Sequence, residues 1–230
     1  MFFKQLVENK HVLILGPADY LFSSQNRIDL MDYEVVVKIN RMPEMKTSDI
    51  FKNDRCDILY HSLSVHPPTG DLQYDQNLWI RKGIRHIRAA YPPIEHKQWY
   101  AGNINKFLRK KDDRIKFSIV QPEDYLNFEK QCNNTSPNSG TIAILDILLN
   151  NPKSVTVKGI TMFCGGYNKN YKDKFITEKD CYTLHSTAKN HSIYYQSVLL
   201  KKIFIENNKV IADEEMVKCL QKNIDKGAEW

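Results

Sequence analysis

The chain has 230 residues, a length that suits one full domain with a sizeable core. No apolar run approaches the ~20 residues that a bilayer-spanning helix needs, and the first residues do not resemble a signal peptide. We therefore expect a cytoplasmic protein, with a soluble piece of a longer protein as the alternative. The net charge of +6 comes from scattered basic residues without interleaved aromatics, which argues against nucleic-acid binding. The charge suits an anionic ligand and is compatible with peripheral contact at a membrane surface.

The cysteines and histidines exclude further classes of site. The five cysteines are an odd number, with no close pair and no Cys-x-x-Cys spacing, which argues against a disulfide framework and against zinc. No His-x-x-His, His-Glu-x-x-His or Asp-x-Asp pattern occurs. We therefore expect neither a metal nor a resident cofactor.

Short β-branched runs recur along the chain and predict six strands, at Val12–Leu15, Val35–Ile39, Ile58–Tyr60, Ile84–Ala89, Ile115–Val120 and Val155–Val157. These runs are almost continuously apolar, which is typical of strands covered on both faces. Helices are predicted from Pro122 onwards and over Thr141–Leu149, His191–Ile205 and Glu214–Ile224. The pattern predicts a single α/β domain over residues 1–230, a doubly wound, mostly parallel sheet with helices on both faces.

The first strand leads into the turn Gly16-Pro17-Ala18. A tight glycine turn after a strand is one way to present backbone N–H groups to a phosphate, and an ordinary turn is the equal alternative. The turn lacks the Gly-x-Gly-x-x-Gly fingerprint, so binding of an NAD-type pyrophosphate is not favoured.

Polar residues follow the next two strands. Ligands of parallel sheets bind beyond the carboxyl ends of the strands, and Gly16, Asn40 and the pair Tyr60-His61 all fall at or just after such ends. An amide at Asn40 suits a base or a ribose, and it equally suits a capped turn. These positions predict one shared cleft.

The segment Ser136-Pro-Asn-Ser139-Gly140-Thr141 opens the helix predicted next. Ser139 is suited to cap that helix, and Gly140 lets a ligand approach the backbone. The helix start predicts a phosphate site, with a plain capped helix as the alternative.

Two histidines and two tyrosines complete the candidate residues. A helix beginning at His191 would lower the pKa of that imidazole and keep it neutral, as a general base requires. His185 lies six positions earlier, and each histidine is followed by a serine. Tyr167 and Tyr171 follow the last predicted strand and could donate hydrogen bonds to a departing phosphate.

Together these segments resemble the animal-type sialyltransferases (glycosyltransferase family 29), with a second likeness to the bacterial sialyltransferases of family 42. Gly16 through Ile28-Asp29 to Asn40 is similar to the large motif of the animal-type family. Ser136–Thr141, the apolar helix and Val155–Gly159 resemble the small motif. His191 to Gln196 resembles the very short motif, with Gln in place of its acid, whereas the bacterial family places its base in a His-Ser pair like His185-Ser186.

The resemblance implies a sialyltransferase-type, Rossmann-like variant of the α/β fold. It implies an inverting, metal-independent transfer of sialic acid, or a related keto-acid sugar such as Kdo, from a CMP donor to a hydroxyl of a glycan or glycolipid. His191 is the favoured base and His185 the alternative. The donor would contact Gly16, Pro17, Ala18, Asn40, Tyr60, His61, Ser139, Gly140, Thr141, Gly159, Tyr167 and Tyr171.

The chain also departs from the animal-type pattern. Pro17 stands where the large motif has a nucleotide-binding Asn, and the cysteine pair that joins the two motifs is missing. Pro17 and Gln196 motivate an alternative, a nucleotide-binding protein of the same fold without transferase activity. A dinucleotide-dependent oxidoreductase is a less favoured alternative.

Overall fold

The computed structural model describes residues 2–22, 27–45, 50–64, 75–168, 171, 177–179 and 191–227. The α-helices of this part of the chain are α1 (Phe2–Val7), α2 (Gln76–Arg81), α3 (Trp99–Lys110), α4 (Pro122–Gln131), α5 (Ser139–Leu149), α6 (Ile193–Glu206) and α7 (Glu214–Asp225). The strands are β1 (His11–Leu15), β2 (Ile28–Asp29), β3 (Val35–Ile39), β4 (Phe51–Lys52), β5 (Ile58–His61), β6 (His86–Ala89), β7 (Lys116–Ile119), β8 (Ser154–Lys158) and β9 (Val210–Ala212).

Seven of these strands form one sheet in the order β7-β6-β5-β3-β1-β8-β9, and each neighbouring pair runs parallel. The chain adds β3, β5, β6 and β7 in turn on one side of β1, and then adds β8 and β9 on its other side. β1 is therefore paired on both sides, with Val12 opposite Val35 in β3 and opposite Val155 in β8. The junction of β1 and β8 is the topological switch point, beside which ligands of such sheets bind.

The side chains of β1 alternate between two cores. Val12 and Ile14 face the larger hydrophobic cluster, while Leu13 and Leu15 face a smaller one on the other side of the sheet. All four are fully buried, because a strand in the middle of a parallel sheet is covered on both faces. The predicted α/β fold class is confirmed.

All six predicted strands are confirmed, Val35–Ile39 with its predicted bounds and the other five with bounds shifted by one or two residues. The sequence prediction missed β9, a three-residue strand that follows α6 directly, and the two-residue pair of β2 and β4. Such short segments do not show a periodic pattern.

Two predicted helix starts are corrected. The N-cap of α5 is Asn138, whose side chain accepts the Thr141 N–H at 2.9 Å, so Ser139 is the first residue inside the helix. The N-cap of α6 is Ser192, whose hydroxyl accepts the Tyr195 N–H at 3.2 Å. His191 therefore precedes the helix that it was predicted to begin, because the serine after it makes the better cap.

Among the helices of the described ranges, none combines the length and apolar character required to cross a bilayer.

Candidate functional site

A cleft of about 260 Å³ lies beyond the carboxyl ends of the parallel strands. Its walls come from the ends of β1, β3, β5 and β8, from the start of α5 and from the loops after β6 and β8. The residues that line it are Pro17, Ile39, Asn40, Ser62, Ser64, Tyr91, Tyr100, Asn138, Ser139, Gly140, Gly159, Ile160, Thr161, Met162, Phe163, Tyr167, Tyr171 and His191.

The two distant sequence segments meet in this one cleft. Pro17 and Asn40 come from the first segment, and Ser139, Gly140 and Gly159 come from the second. Tyr167, Tyr171 and His191 line the same space. His185, the alternative base, lies outside the described residues.

Gly16 and Gly159 form a close crossing of two backbones at the switch point. A Cβ atom on Gly16 would lie 2.2 Å from the carbonyl oxygen of Gly159, and a Cβ on Gly159 would lie 2.4 Å from the carbonyl oxygen of Gly16. Gly159 also has φ +74°, the left-handed region that favours glycine. Both glycines are therefore explained by packing.

At this crossing, the backbone N–H groups of the turn Gly16-Pro17-Ala18 are already hydrogen-bonded. The Gly16 N–H donates to the Lys158 carbonyl at 2.8 Å, and the Ala18 N–H donates to the Gly159 carbonyl at 3.2 Å. Pro17 has no N–H group. The expectation that this turn offers amides to a phosphate is therefore wrong, and only Pro17 of the three residues lines the cleft.

Tyr60 and His61, predicted as donor contacts, belong to the core. The Tyr60 hydroxyl donates to Asp146 Oδ2 at 2.7 Å, and Tyr60 is fully buried in the larger hydrophobic cluster and does not line the cleft. His61 is buried, and its Nδ1 accepts the Leu63 N–H at 2.9 Å. Burial lowers the pKa of His61 to about 4, and the charge of Arg41 adds to this. Both side chains point inwards because β5 is covered on its two faces.

Thr141 supports the helix start from behind. It is fully buried, and its hydroxyl donates to Gln196 Oε1 at 2.8 Å. The same Oε1 accepts the Asn138 N–H at 2.8 Å, and the Gln196 amide donates to the Ser192 carbonyl at 3.0 Å. Gln196 thus joins the start of α6 to the start of α5. In the sequence, Gln196 is recognised only as the residue in place of the acid of the very short motif, and this did not indicate the role.

The N-terminus of α5 lines the cleft with one donor that has no protein partner among the described residues, the Gly140 N–H. Burial raises the pKa of Tyr91 to about 12, and hydrogen bonds from the Ser139 hydroxyl and the Ser139 N–H to the Tyr91 hydroxyl oppose this. The Thr141 N–H is capped by Asn138. Unpaired N–H groups at a helix start carry the positive end of the helix dipole. This end of the cleft is chemically suited to an anion.

His191 is held by the same turn. Its Nδ1 lies 2.6 Å from the Ser136 carbonyl oxygen, and since a carbonyl only accepts, Nδ1 carries the proton. The neutral ring then has Nε2 as the nitrogen that accepts a proton. Burial lowers the pKa of His191, the charge of Lys97 adds to this, and the bond to Ser136 partly opposes it. Burial is thus the main cause that favours the neutral imidazole at pH 7.

Asn40 and two tyrosines form the opposite wall. Asn40 has φ 49°, and its Oδ1 accepts the Ser62 N–H at 2.8 Å, so its side chain fixes the loop after β5. The rings of Tyr167 and Tyr171 lie 5.0 Å apart between centroids. An antiparallel bridge between Ala18 and Tyr167 brings this loop back to the first turn.

The Tyr171 hydroxyl is a donor over the whole neutral range. Burial raises its pKa to about 12, although a hydrogen bond with the Asn40 side chain lowers it somewhat. A hydroxyl of this kind stays protonated at pH 7 and can donate to an anionic oxygen.

Several lining residues were not predicted. Ser62 and Ser64 follow β5, and their hydroxyls lie 2.9 Å apart. Met162 and Phe163 are consecutive non-glycine residues with φ 50° and 69°, an uncommon backbone that places strain next to the cleft. The position of Ser62-Leu-Ser64 after a strand was a usable signal, whereas Met162 and Phe163 carry none in the sequence.

The described residues contain no group of three or more His, Cys, Asp or Glu side chains placed to hold a metal ion. The expectation of a site without metal or cofactor stays a prediction.

No protein-family model matches the chain, and no curated protein sequence matches it. Among solved structures, it is similar to a mammalian sialyltransferase in complex with Gal-β-1-3GalNAc-ortho-nitrophenol. The two share 13% sequence identity over 92% of this chain and 71% of that one, with a TM-score of 0.51. The chain has the fold of the sialyltransferases. The sialyltransferase CstII from Campylobacter jejuni, in complex with a substrate analogue, cytidine-5'-monophosphate, also matches, with 12% identity, 80% and 77% coverage and a TM-score of 0.43.

Proposed function

We propose that this chain is an inverting glycosyltransferase that moves sialic acid, or a related keto-acid sugar such as Kdo, from a CMP donor to a glycan hydroxyl. One observation carries the proposal. The neutral His191 and the start of α5, which is suited to an anion, line the same cleft. The Ser136 carbonyl, shortly before α5, accepts the His191 Nδ1–H. The fold shared with the sialyltransferases and the motif resemblance support the choice of a CMP-activated donor.

The departing CMP phosphate would bind at the start of α5. The Gly140 N–H would donate to one of its oxygens, and the helix dipole would favour its charge. The Tyr171 and Tyr167 hydroxyls would donate from the opposite wall. Donors fixed before the reaction stabilise the charge that develops as the leaving group departs, which a metal ion does in other glycosyltransferases.

The cytidine and ribose would lie between Pro17 and Asn40. Asn40 is positioned by the turn after β3 and by its bond to the Ser62 N–H. Its Oδ1 accepts the Ser62 N–H, and its Nδ2 group donates one hydrogen to the Tyr171 hydroxyl, so the second hydrogen of Nδ2 is the one that would be donated to the nucleoside. The Gly16 turn shapes this end of the cleft without donating to the ligand.

His191 would act as the general base. Its Nε2 would take the proton of the acceptor hydroxyl while the acceptor oxygen forms a bond to the anomeric carbon. The bond from that carbon to the phosphate oxygen breaks, and its electrons leave with CMP. Attack opposite to the leaving group inverts the anomeric centre. His185 is the second candidate for this role.

A thermal-shift screen with CMP, UDP, GDP, ADP and NAD tests the nucleotide class, and we expect stabilisation by CMP alone. Isothermal titration with CMP then gives the affinity, and CMP release from CMP-sialic acid or CMP-Kdo tests turnover. Binding of CMP without turnover under any acceptor would favour the nucleotide-binding protein without transferase activity. A response to NAD and not to CMP would overturn the proposal.

A further inference from the structure

Two buried cysteines lie directly behind one wall of the cleft. Cys164 follows Met162 and Phe163 in the loop after β8, and Cys219 is in α7. The Cys219 S–H donates a hydrogen bond to the Cys164 sulfur. Of these four residues, Met162 and Phe163 line the cleft and the two cysteines do not. The two thiols therefore meet where the cleft wall contacts a helix.

A second side chain of α7 holds the same loop. Asn223 is buried, and its Nδ2 donates to the Thr161 carbonyl at 3.3 Å and to the Met162 carbonyl at 3.2 Å. Residues four apart share one face of a helix, so Cys219 and Asn223 contact the loop from the same side. The position of this part of the cleft wall thus depends on α7.

The surroundings of Cys164 favour its thiolate. The hydrogen bond from Cys219 lowers the pKa of Cys164, and the charges of Lys222 and Lys226 add to this, while burial and the charge of Glu178 oppose it. The pKa of Cys219 is raised, chiefly by the same hydrogen bond and by burial. A thiolate beside a second thiol is the arrangement in which oxidation of the first sulfur ends in a disulfide.

The other two cysteines of the described ranges have different surroundings. Cys56 and Cys132 are fully buried, and burial raises the pKa of each to about 12. Thiols of this kind are unreactive, because the thiolate is the nucleophile. Cys164 and Cys219 keep exposed fractions of 4% and 7%, so a small oxidant such as hydrogen peroxide can reach them.

We propose that Cys164 and Cys219 form a reversible disulfide, with hydrogen peroxide as the oxidant, and that this bond is a redox switch on the cleft. The Cys164 sulfur attacks one peroxide oxygen and the O–O bond breaks. This gives a sulfenic acid, and the other oxygen leaves as water with the proton that the Cys164 thiol lost. The Cys219 sulfur then attacks the Cys164 sulfur, the S–O bond breaks, and the hydroxyl leaves as a second water with the Cys219 proton. In total, two thiols lose two electrons and one peroxide is reduced to two waters.

The disulfide would move the cleft wall. A disulfide holds its two sulfurs at about 2.0 Å, much closer than two hydrogen-bonded thiols. Cys164 would therefore be drawn towards α7, and Phe163 and Met162 would follow because they directly precede it in the chain. We expect this displacement to weaken the binding of CMP. The effect on CMP rests on the proposed function, whereas the formation of the disulfide does not.

The test treats the Cys181→Ser protein with hydrogen peroxide, because this substitution removes the cysteine that lies outside the described residues. Mass spectrometry of the unreduced peptides should show Cys164 joined to Cys219, and dithiothreitol should separate them. The Kd of CMP, measured by titration, should rise about tenfold on oxidation, the size of one lost contact with the ligand, and should return after reduction. Cys164→Ala and Cys219→Ala should each abolish the response, and Cys132→Ala is the matched control that should keep it.

The two readouts separate this inference from the proposed function. Reduced protein that binds no CMP refutes the proposed function, and the peptide masses still decide whether the disulfide forms. A sulfinic acid on Cys164 without the cross-link to Cys219 overturns the disulfide. A cross-link that leaves the Kd of CMP unchanged overturns the switch.

Discussion

The turn after β1 and the turn before α5 both have glycine-containing sequences typical of phosphate sites, yet the structure uses them differently. In the first, the N–H groups of Gly16 and Ala18 are bonded to β8 and the residue after it. In the second, Ser139 and Gly140 line the cleft, the Ser139 N–H is bonded to the Tyr91 hydroxyl, and the Gly140 N–H has no protein acceptor among the described residues. A glycine turn can therefore serve the packing of two strands as well as a ligand, and the partners of its N–H groups distinguish the two cases.

The largest expected effect is on the transfer rate and tests the chemistry beside the turn before α5. His191→Ala should lower the transfer rate by about 10²–10⁴, because the acceptor hydroxyl loses the base that takes its proton. The free energy of unfolding and the Kd of CMP should change little. CMP release assays on His191→Ala and His185→Ala decide between the two histidines, and unchanged release in both would refute the mechanism.

The next largest effect is on the free energy of unfolding and tests the packing of the turn after β1. Gly16→Ala should destabilise the protein by about 3 kcal/mol, because the added methyl group overlaps the Gly159 backbone. Denaturant unfolding measures this loss. The control is Gly102→Ala in α3, where an added Cβ meets nothing within 4 Å and alanine favours the helix. Equal stability of Gly16→Ala and wild type would mean that the two backbones do not cross so closely.

Acid should weaken the core around β5 and β6, which His61 and His86 belong to. His61 and His86 have folded pKa values of about 4, lowered chiefly by burial, with the charges of Arg41 and Arg88 adding respectively. The unfolded chain takes up protons from about pH 6.5 downwards, so stability is present above that pH and is lost as pH falls towards 4. Each histidine should contribute a slope of ~1.4 kcal/mol per pH unit.

Unfolding measured at pH 7.5, 5.5 and 4.5 tests this dependence. His61→Asn should flatten the curve if the imidazole is buried and neutral, as its acceptor bond from Leu63 indicates. A stability that is constant across this range would contradict the burial of both rings.

The smallest expected effect is on the free energy of unfolding and concerns the turn before α5. Asn138→Ala should lower the free energy of unfolding by about 1 kcal/mol through loss of the N-cap, and it should also weaken CMP binding. Asp75→Ala removes the N-cap of α2 and is the matched control, with a similar loss of stability and an unchanged Kd for CMP. Titration of both variants with CMP checks the difference.

The strands could be predicted because each depends on its own residues. The apolar runs at Val35–Ile39 and Val155–Val157 predict strands without any knowledge of the strands that pair with them. The purpose of Gly16 could not be predicted in the same way, since it depends on Gly159, which is distant in sequence and adjacent only after the sheet has formed. Tyr60 was misassigned for a related reason, because its partner Asp146 is on a helix from the other half of the chain.

The site was predicted in outline and not in detail. Strand ends indicated that Asn40 and Ser139 would share a cleft, and they do. The sequence did not indicate that Gln196 would join the starts of two helices, nor that Tyr91 and Tyr100 would line the cleft. These contacts join segments whose separation in the chain says nothing about their distance in space.

The most direct test of the central claim is a titration of ¹⁵N-labelled protein with CMP, followed by backbone amide NMR shifts. With nine glycines in the chain, the Gly16 and Gly140 signals are tractable to assign. The amides of Ser139 and Gly140 should shift most, and those of Gly16 and Ala18 should stay near their positions. The largest shifts on Gly16 and Ala18, or no shift at Ser139 and Gly140 under saturating CMP, would contradict the account.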